Sequence, residues 1–162
     1  MPKSTVQEEN PYKLPEDVYL PVRLLGVTEK RIPFTYKKGD RAGEKGEIVK
    51  WEWEFEIISG EYSPLKVFGE TEAKVTVTPD GQRNNAAMYI EALRDAPVDF
   101  GESIDTHDYS GLGAVVQVRH DARERGDGGG MFYSTPIKSI YPEKIMAELA
   151  AAGQVQAEEP PF

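Results

Sequence analysis

Two stretches of this chain of 162 residues set cations among aromatic rings or glycines, and a third combines acids, prolines and a ring. The first runs from Lys30 to Lys45. It carries Lys30, Arg31, Lys37, Lys38, Arg41 and Lys45 against Asp40 and Glu44, six cations to two acids, for a local net charge of +4. Phe34 and Tyr36 sit among those charges. Cations hold a phosphate backbone and exposed rings stack on bases, the two parts of sequence-tolerant single-strand binding. A solvated loop with its rings tucked onto the body has the same composition. The second stretch, Asp121 to Gly130, follows Arg119 and contains Arg123 and Arg125, balanced by Asp121, Glu124 and Asp127. Its glycines suit a loop that closes over a flexible strand, and equally a plain connection.

Other residue types point away from catalysis. The chain has no cysteine, which excludes a disulfide framework, thiolate zinc sites and thiol nucleophiles together. Asp105-Thr106-His107-Asp108 holds metal-ligand types without a second histidine at ligand spacing, the usual composition of a turn. No glycine-rich phosphate cradle, serine elbow or helical histidine pair is present. The expectation is a protein without catalytic residues, cofactor or metal.

Those stretches must be carried by strands. Val18, Leu20, Val22 and Leu24 alternate at period two, and Val49, Trp51, Trp53, Phe55 and Ile57 alternate with Lys50, Glu52, Glu54 and Glu56. The second pattern is a half-buried strand with one wet side. Turning Trp51 and Trp53 outward as stacking platforms would bury three carboxylates, so both are expected in the core, with a bulge the one way to bring either to the rim. The wet side is then a row of glutamates that would repel nucleic acid. Leu65 to Val77 reads as one strand or two broken near Gly69. Asn84 or Asn85 caps a helix whose apolar stripe is Ala86, Tyr89, Ile90 and Leu93. Asp95 to Gly113 reads as loop, Ala114 to His120 as strand, and Met131 to Tyr141 as a last strand interrupted at Pro136.

The expected organisation is a mobile arm over 1–16, a domain over 17–142, a short helix over 143–152 and an acidic, disordered tail over 153–162. Strands without alternating helices exclude a doubly wound sheet. Five strands with one helix before the fourth is the order of an OB-fold, a five-stranded Greek-key barrel, with a β-sandwich as competitor. Net charge is −9, and no apolar run approaches the roughly 18 residues that span a bilayer. The expectation is a soluble, cytoplasmic protein without a membrane partner.

The ending carries the most specific likeness. Glu158, Glu159, Pro160, Pro161 and Phe162 form an extended acidic peptide that presents one ring. It resembles the acidic tip of bacterial single-stranded-DNA-binding proteins, with Pro160 where that family has isoleucine and with a shorter acid run. Trp53-Glu-Phe-Glu-Ile57 before Gly60, the helix ending near Leu93, and Tyr109-Ser-Gly111 before a valine-rich strand resemble small OB-fold proteins of tailed phages. The resemblance implies single-stranded-DNA binding in replication or recombination, in the host cytoplasm if phage-encoded. Arg31, Phe34, Tyr36, Lys37, Lys38, Arg41, Lys45, Arg119, Arg123 and Arg125 would meet DNA, while the five tail residues recruit replication or recombination proteins. The alternative is a protein-binding adaptor or phage assembly or host-takeover factor, which accounts better for the acidic charge.

Overall fold

The computed structural model describes residues 11–125 and 129–151. It is mainly β. The strands are β1 (Leu20–Thr35), β2 (Lys45–Ile57), β3 (Lys66–Glu72), β4 (Gly113–Val118), β5 (Asp121–Glu124), β6 (Met131–Ser134) and β7 (Ile137–Pro142), with helices α1 (Asn85–Arg94) and α2 (Ile145–Ala151). Five strands form one antiparallel sheet in the order β3-β2-β1-β4-β7, and β5 and β6 make a separate hairpin.

The core follows from period two. Leu20, Val22 and Leu24 of β1, Trp53, Phe55 and Ile57 of β2, and Val67 of β3 turn to one side and are buried. Trp53 takes the expected core position, and its indole Nε1 donates to Thr71 Oγ1 at 2.8 Å, so its one polar atom is satisfied. Trp51 lies at the margin, half-buried and edge-on to Trp53. The β-bulge falls in β1 between Leu24 and Gly26. In α1, Asn84 accepts from the Ala87 amide, and Ala86, Tyr89, Ile90 and Leu93 are buried as their spacing requires. The helix packs against β3, β4 and β7, thereby touching both edge strands of the sheet.

β3 and β7 approach each other, but no ladder joins them among the described residues. The sheet is therefore open in its hydrogen bonding where a closed barrel was expected. Two further expectations are corrected and two open ones resolved. The segment from Lys30 to Lys45, expected as a long loop or loose hairpin, is a hairpin: Arg31 to Thr35 pairs in register with Lys45 to Val49, extending β1 and β2 into a two-stranded arm. Met131 to Tyr141 is two strands in different sheets, and Gly69 lies inside an unbroken β3. Pro11 to Glu16, expected within the mobile arm, is docked, with Leu14 2% exposed and part of the core. Among the described residues no helix is long and apolar enough to cross a membrane.

Candidate nucleic-acid interface

The arm is a built structure, and glycine explains how. Phe34 stands opposite Gly46 in the ladder, and a Cβ on Gly46 would lie 2.6 Å from Phe34 Cζ, so the ring covers the bare backbone. Tyr36 packs edge-on against Phe34 with centroids 4.8 Å apart. The Arg41 guanidinium sits 4.4 Å from the centre of the Tyr36 ring, donates to Tyr36 Oη at 3.1 Å and to Glu44 at 3.0 Å. One side of Tyr36 is thus covered by a cation, an arrangement favourable in itself. Lys37, Lys38 and Lys45 are exposed and have no acidic partner among the described residues.

Behind the arm lies the outer face of β1, β2 and β3, where the glutamates emerge. These carboxylates are not bare. Arg23 binds Glu56 at 2.9 Å, Lys30 binds Glu52 at 3.1 Å, and Lys66 binds Glu54 at 2.8 Å. In the ladder Lys30 stands opposite Lys50, and Glu52 opposite Glu70, which by itself sets like charges together. Diagonal reach resolves this: Lys30 Nζ also lies 4.0 Å from Glu70, and Lys50 Nζ is 3.6 Å from it. The hydrogen bond to Glu52 is the main cause of a Lys30 ammonium held above its usual range, and Glu54 does the same for Lys66. Such exposed pairs add little to stability, because solvent screens them. Their consequence is local, because they cancel much of the repulsion that the glutamate row implied.

The candidate cations therefore divide. Arg31 binds Glu29 and Glu47, at 3.3 and 3.2 Å, and both carboxylates raise its pKa. Arg119 and Arg123 converge on Asp121 at 3.7 and 2.9 Å. Arg125 joins Lys37, Lys38 and Lys45 as an exposed cation with no acidic partner among the described residues.

Asp121 to Gly130, read as a loop, holds β5, which pairs with β6. Arg123 stands opposite Phe132 and Ala122 opposite Tyr133, so alternation puts Arg123, Phe132 and Ser134 on one side. Met131, Phe132 and Tyr133 are all exposed. Ser134, Thr135 and Pro136 then meet the outer side of β3 and close a cleft of 170 Å³ with Glu52, Lys66, Val67, Phe68, Gly69 and Glu70. Phe68 is the apolar residue of that outer side, among Lys66, Glu70 and Glu72, and is 41% exposed.

Phe68, Phe132 and Tyr133 escaped the sequence reading. An apolar residue on the polar phase of an alternating strand was the available signal for Phe68. Phe132 and Tyr133 were assigned to a last strand whose placement was not foreseen.

Asp105 accepts from the His107 amide at 3.0 Å and caps a single 3-10 turn, Thr106–Tyr109. Among the described residues no cluster of three His, Cys, Asp or Glu side chains is placed to hold a metal ion. Glu158, Glu159, Pro160, Pro161 and Phe162 lie outside the described residues. Compared with protein-family models, with curated proteins and with solved structures, the chain has no match.

Proposed function

We propose that the protein binds single-stranded DNA across the outer face of β1–β3, between the β1–β2 arm and the β5–β6 hairpin. The carrying observation is the distribution of free positive charge. On the sheet face the cations are tied to glutamates, whereas Lys37, Lys38 and Lys45 at the end of the arm have no acidic partner among the described residues. A flexible polyanion has most to gain where cations carry no competing carboxylate. The half-buried rings of Phe34 and Tyr36 lie beside them, and the exposed rings of Phe132 and Tyr133 lie on the opposite hairpin.

The strand order supports an OB-fold as the architecture. Joining β7 to β3 would turn β3-β2-β1-β4-β7 into the cyclic order of that barrel, with α1 between β3 and β4 and the hairpins as its two binding loops. The acids, prolines and ring of Glu158 to Phe162 supply the second half of the reading, recruitment of replication or recombination proteins.

Fluorescence anisotropy with labelled oligo-dT at low salt tests the proposal, with a duplex of equal length as comparison. Saturable binding that favours the single strand is expected. No binding to oligo-dT at low salt would remove the DNA reading and leave a protein-binding adaptor.

A further inference from the structure

The cleft between β3 and the foot of the β5–β6 hairpin has a chemistry unlike that of the arm. One exposed ring, Phe68, lines it; a second, Phe132, 52% exposed, lies outside the lining, two residues before Ser134 on the same side of β6 and about 7 Å along the strand. Its polar lining residues include Glu52, Glu70, Ser134 and Thr135. Lys66 also lines it, but Lys66 Nζ is held by Glu54 at 2.8 Å. The carboxylates are themselves held, Glu52 by Lys30 and Glu70 by Lys30 and Lys50, so their positions are set before any ligand arrives.

Such a lining accepts hydrogen bonds more readily than it donates them. An ionised carboxylate only accepts, and a hydroxyl does either. An ionised phosphate has no donor to offer those carboxylates. A flat ring with hydrogen-bond donors on its edge can stack on phenylalanine and present those donors to Glu52 or Glu70. Among the nucleobases the exocyclic amino groups of cytosine, adenine and guanine are such donors, whereas thymine presents carbonyl oxygens and one ring N–H.

We propose that this cleft is a nucleobase site that favours a base bearing an exocyclic amino group, stacked on Phe68 with its amino edge toward Glu52 and Glu70, and that Phe132 stacks the neighbouring base. The inference rests on the single-strand reading above and adds a base preference that backbone contacts alone would not produce. The phosphates run along the free lysines of the arm and past Arg125, outside the cleft, while bases turn into it.

The test is anisotropy with oligo-dC and oligo-dT of equal length, on the full chain at neutral pH. Oligo-dC is expected to bind about 5-fold tighter, the low end for one base-edge contact at a partly exposed site. Phe68→Ala and Phe132→Ala should each weaken oligo-dC by at least about 5-fold, as loss of a stacking surface does. Glu70→Gln introduces an amide donor that thymine can use, so the preference should shrink or reverse. Phe68 and Phe132 are exposed, and a circular dichroism melt on each variant identifies any that fails to fold. Equal affinity for the two oligomers, or a cytosine preference that survives both Phe68→Ala and Glu70→Gln, overturns the inference and leaves single-strand binding standing. Absence of binding to either oligomer at low salt overturns both.

Discussion

Changing Lys37, Lys38 and Lys45 together to alanine tests whether the free charge at the end of the arm carries the phosphate contacts. Each single-strand phosphate contact contributes about −0.7 to the slope of log affinity against log salt, so losing three lowers the magnitude of the slope by about 2. Arg125 is the fourth of the candidate DNA-binding cations that lack an acidic partner among the described residues, so the expected wild-type slope is about −3. From about 50 to 200 mM salt the wild type then loses roughly 50-fold in affinity and the triple variant roughly 3-fold. The assay is anisotropy of labelled oligo-dT titrated with salt. A matched control removes Arg23, Lys50 and Lys66, three cations that sit on Glu56, Glu70 and Glu54. That control takes away the same net charge but no free contact, so its slope should stay near the wild-type value. An unchanged slope in the arm variant, or equal flattening in both, would refute the assignment.

Two further outcomes follow from the packing and the charges. A Cβ on Gly69 would stand 2.1 Å from Tyr89 Oη and 2.8 Å from its Cε2, and Tyr89 is itself wedged against Trp53 and Phe55; Gly69→Ala should cost about 1–3 kcal/mol in urea unfolding, and most of that cost should vanish when Tyr89 is first changed to leucine. Glu102 is held by Arg94 and accepts from the Asp99 amide, which lowers its carboxyl from 4.5 to about 2. A lowered carboxyl stabilises the folded state above pH 4.5 and loses that contribution as pH falls toward 2, so Glu102→Gln should flatten the fall of Tm across that window, read by circular dichroism melts.

What was legible depended on whether an element has a buried side. β2 alternates because Trp53, Phe55 and Ile57 face the core while Glu52, Glu54 and Glu56 face water, and α1 announces itself through Asn84 and its four-residue stripe. The ends of β1 and β2 beyond Lys30 and Lys50 form a ribbon with no third strand against them among the described residues. Such a ribbon imposes no period-two pattern, and Pro33 with its neighbouring cations reads as loop. β5 is exposed in the same way and was read as loop for the same reason, whereas β6 was read as part of the last strand. The charge pairing on the outer face could not be read from one strand, because Lys30, Arg23 and Lys66 reach the glutamates of β2 from β1 and β3. Composition correctly located the cations and rings. Which cations are free is a property of register.

The N-terminal segment carries the same lesson into a stability experiment. Polar residues and three prolines made 1–16 look like an arm without a place on the body, yet Leu14 fills a core position beside the strands. His120, between β4 and β5, fixes the segment there. Its Nε2 lies 2.7 Å from the Leu14 carbonyl, its amide donates to Glu16 at 3.1 Å, and its ring stacks on Tyr12 with centroids 3.8 Å apart and planes 3° from parallel. Tyr12 in turn meets Tyr133 of β6 edge-on at 5.4 Å. The segment therefore joins the core to the second hairpin, and the two joints can be broken separately. Leu14→Ala deletes buried carbon and should cost about 2–5 kcal/mol, lowering Tm by about 2–4 °C per kcal/mol. Tyr12→Ala removes ring contacts at the foot of the hairpin and should leave Tm within a few degrees while amide exchange in Met131 to Ser134 quickens. If Leu14→Ala melts with the wild type, the segment does not hold the core. If Tyr12→Ala leaves exchange in β6 unchanged, the hairpin stands without its brace.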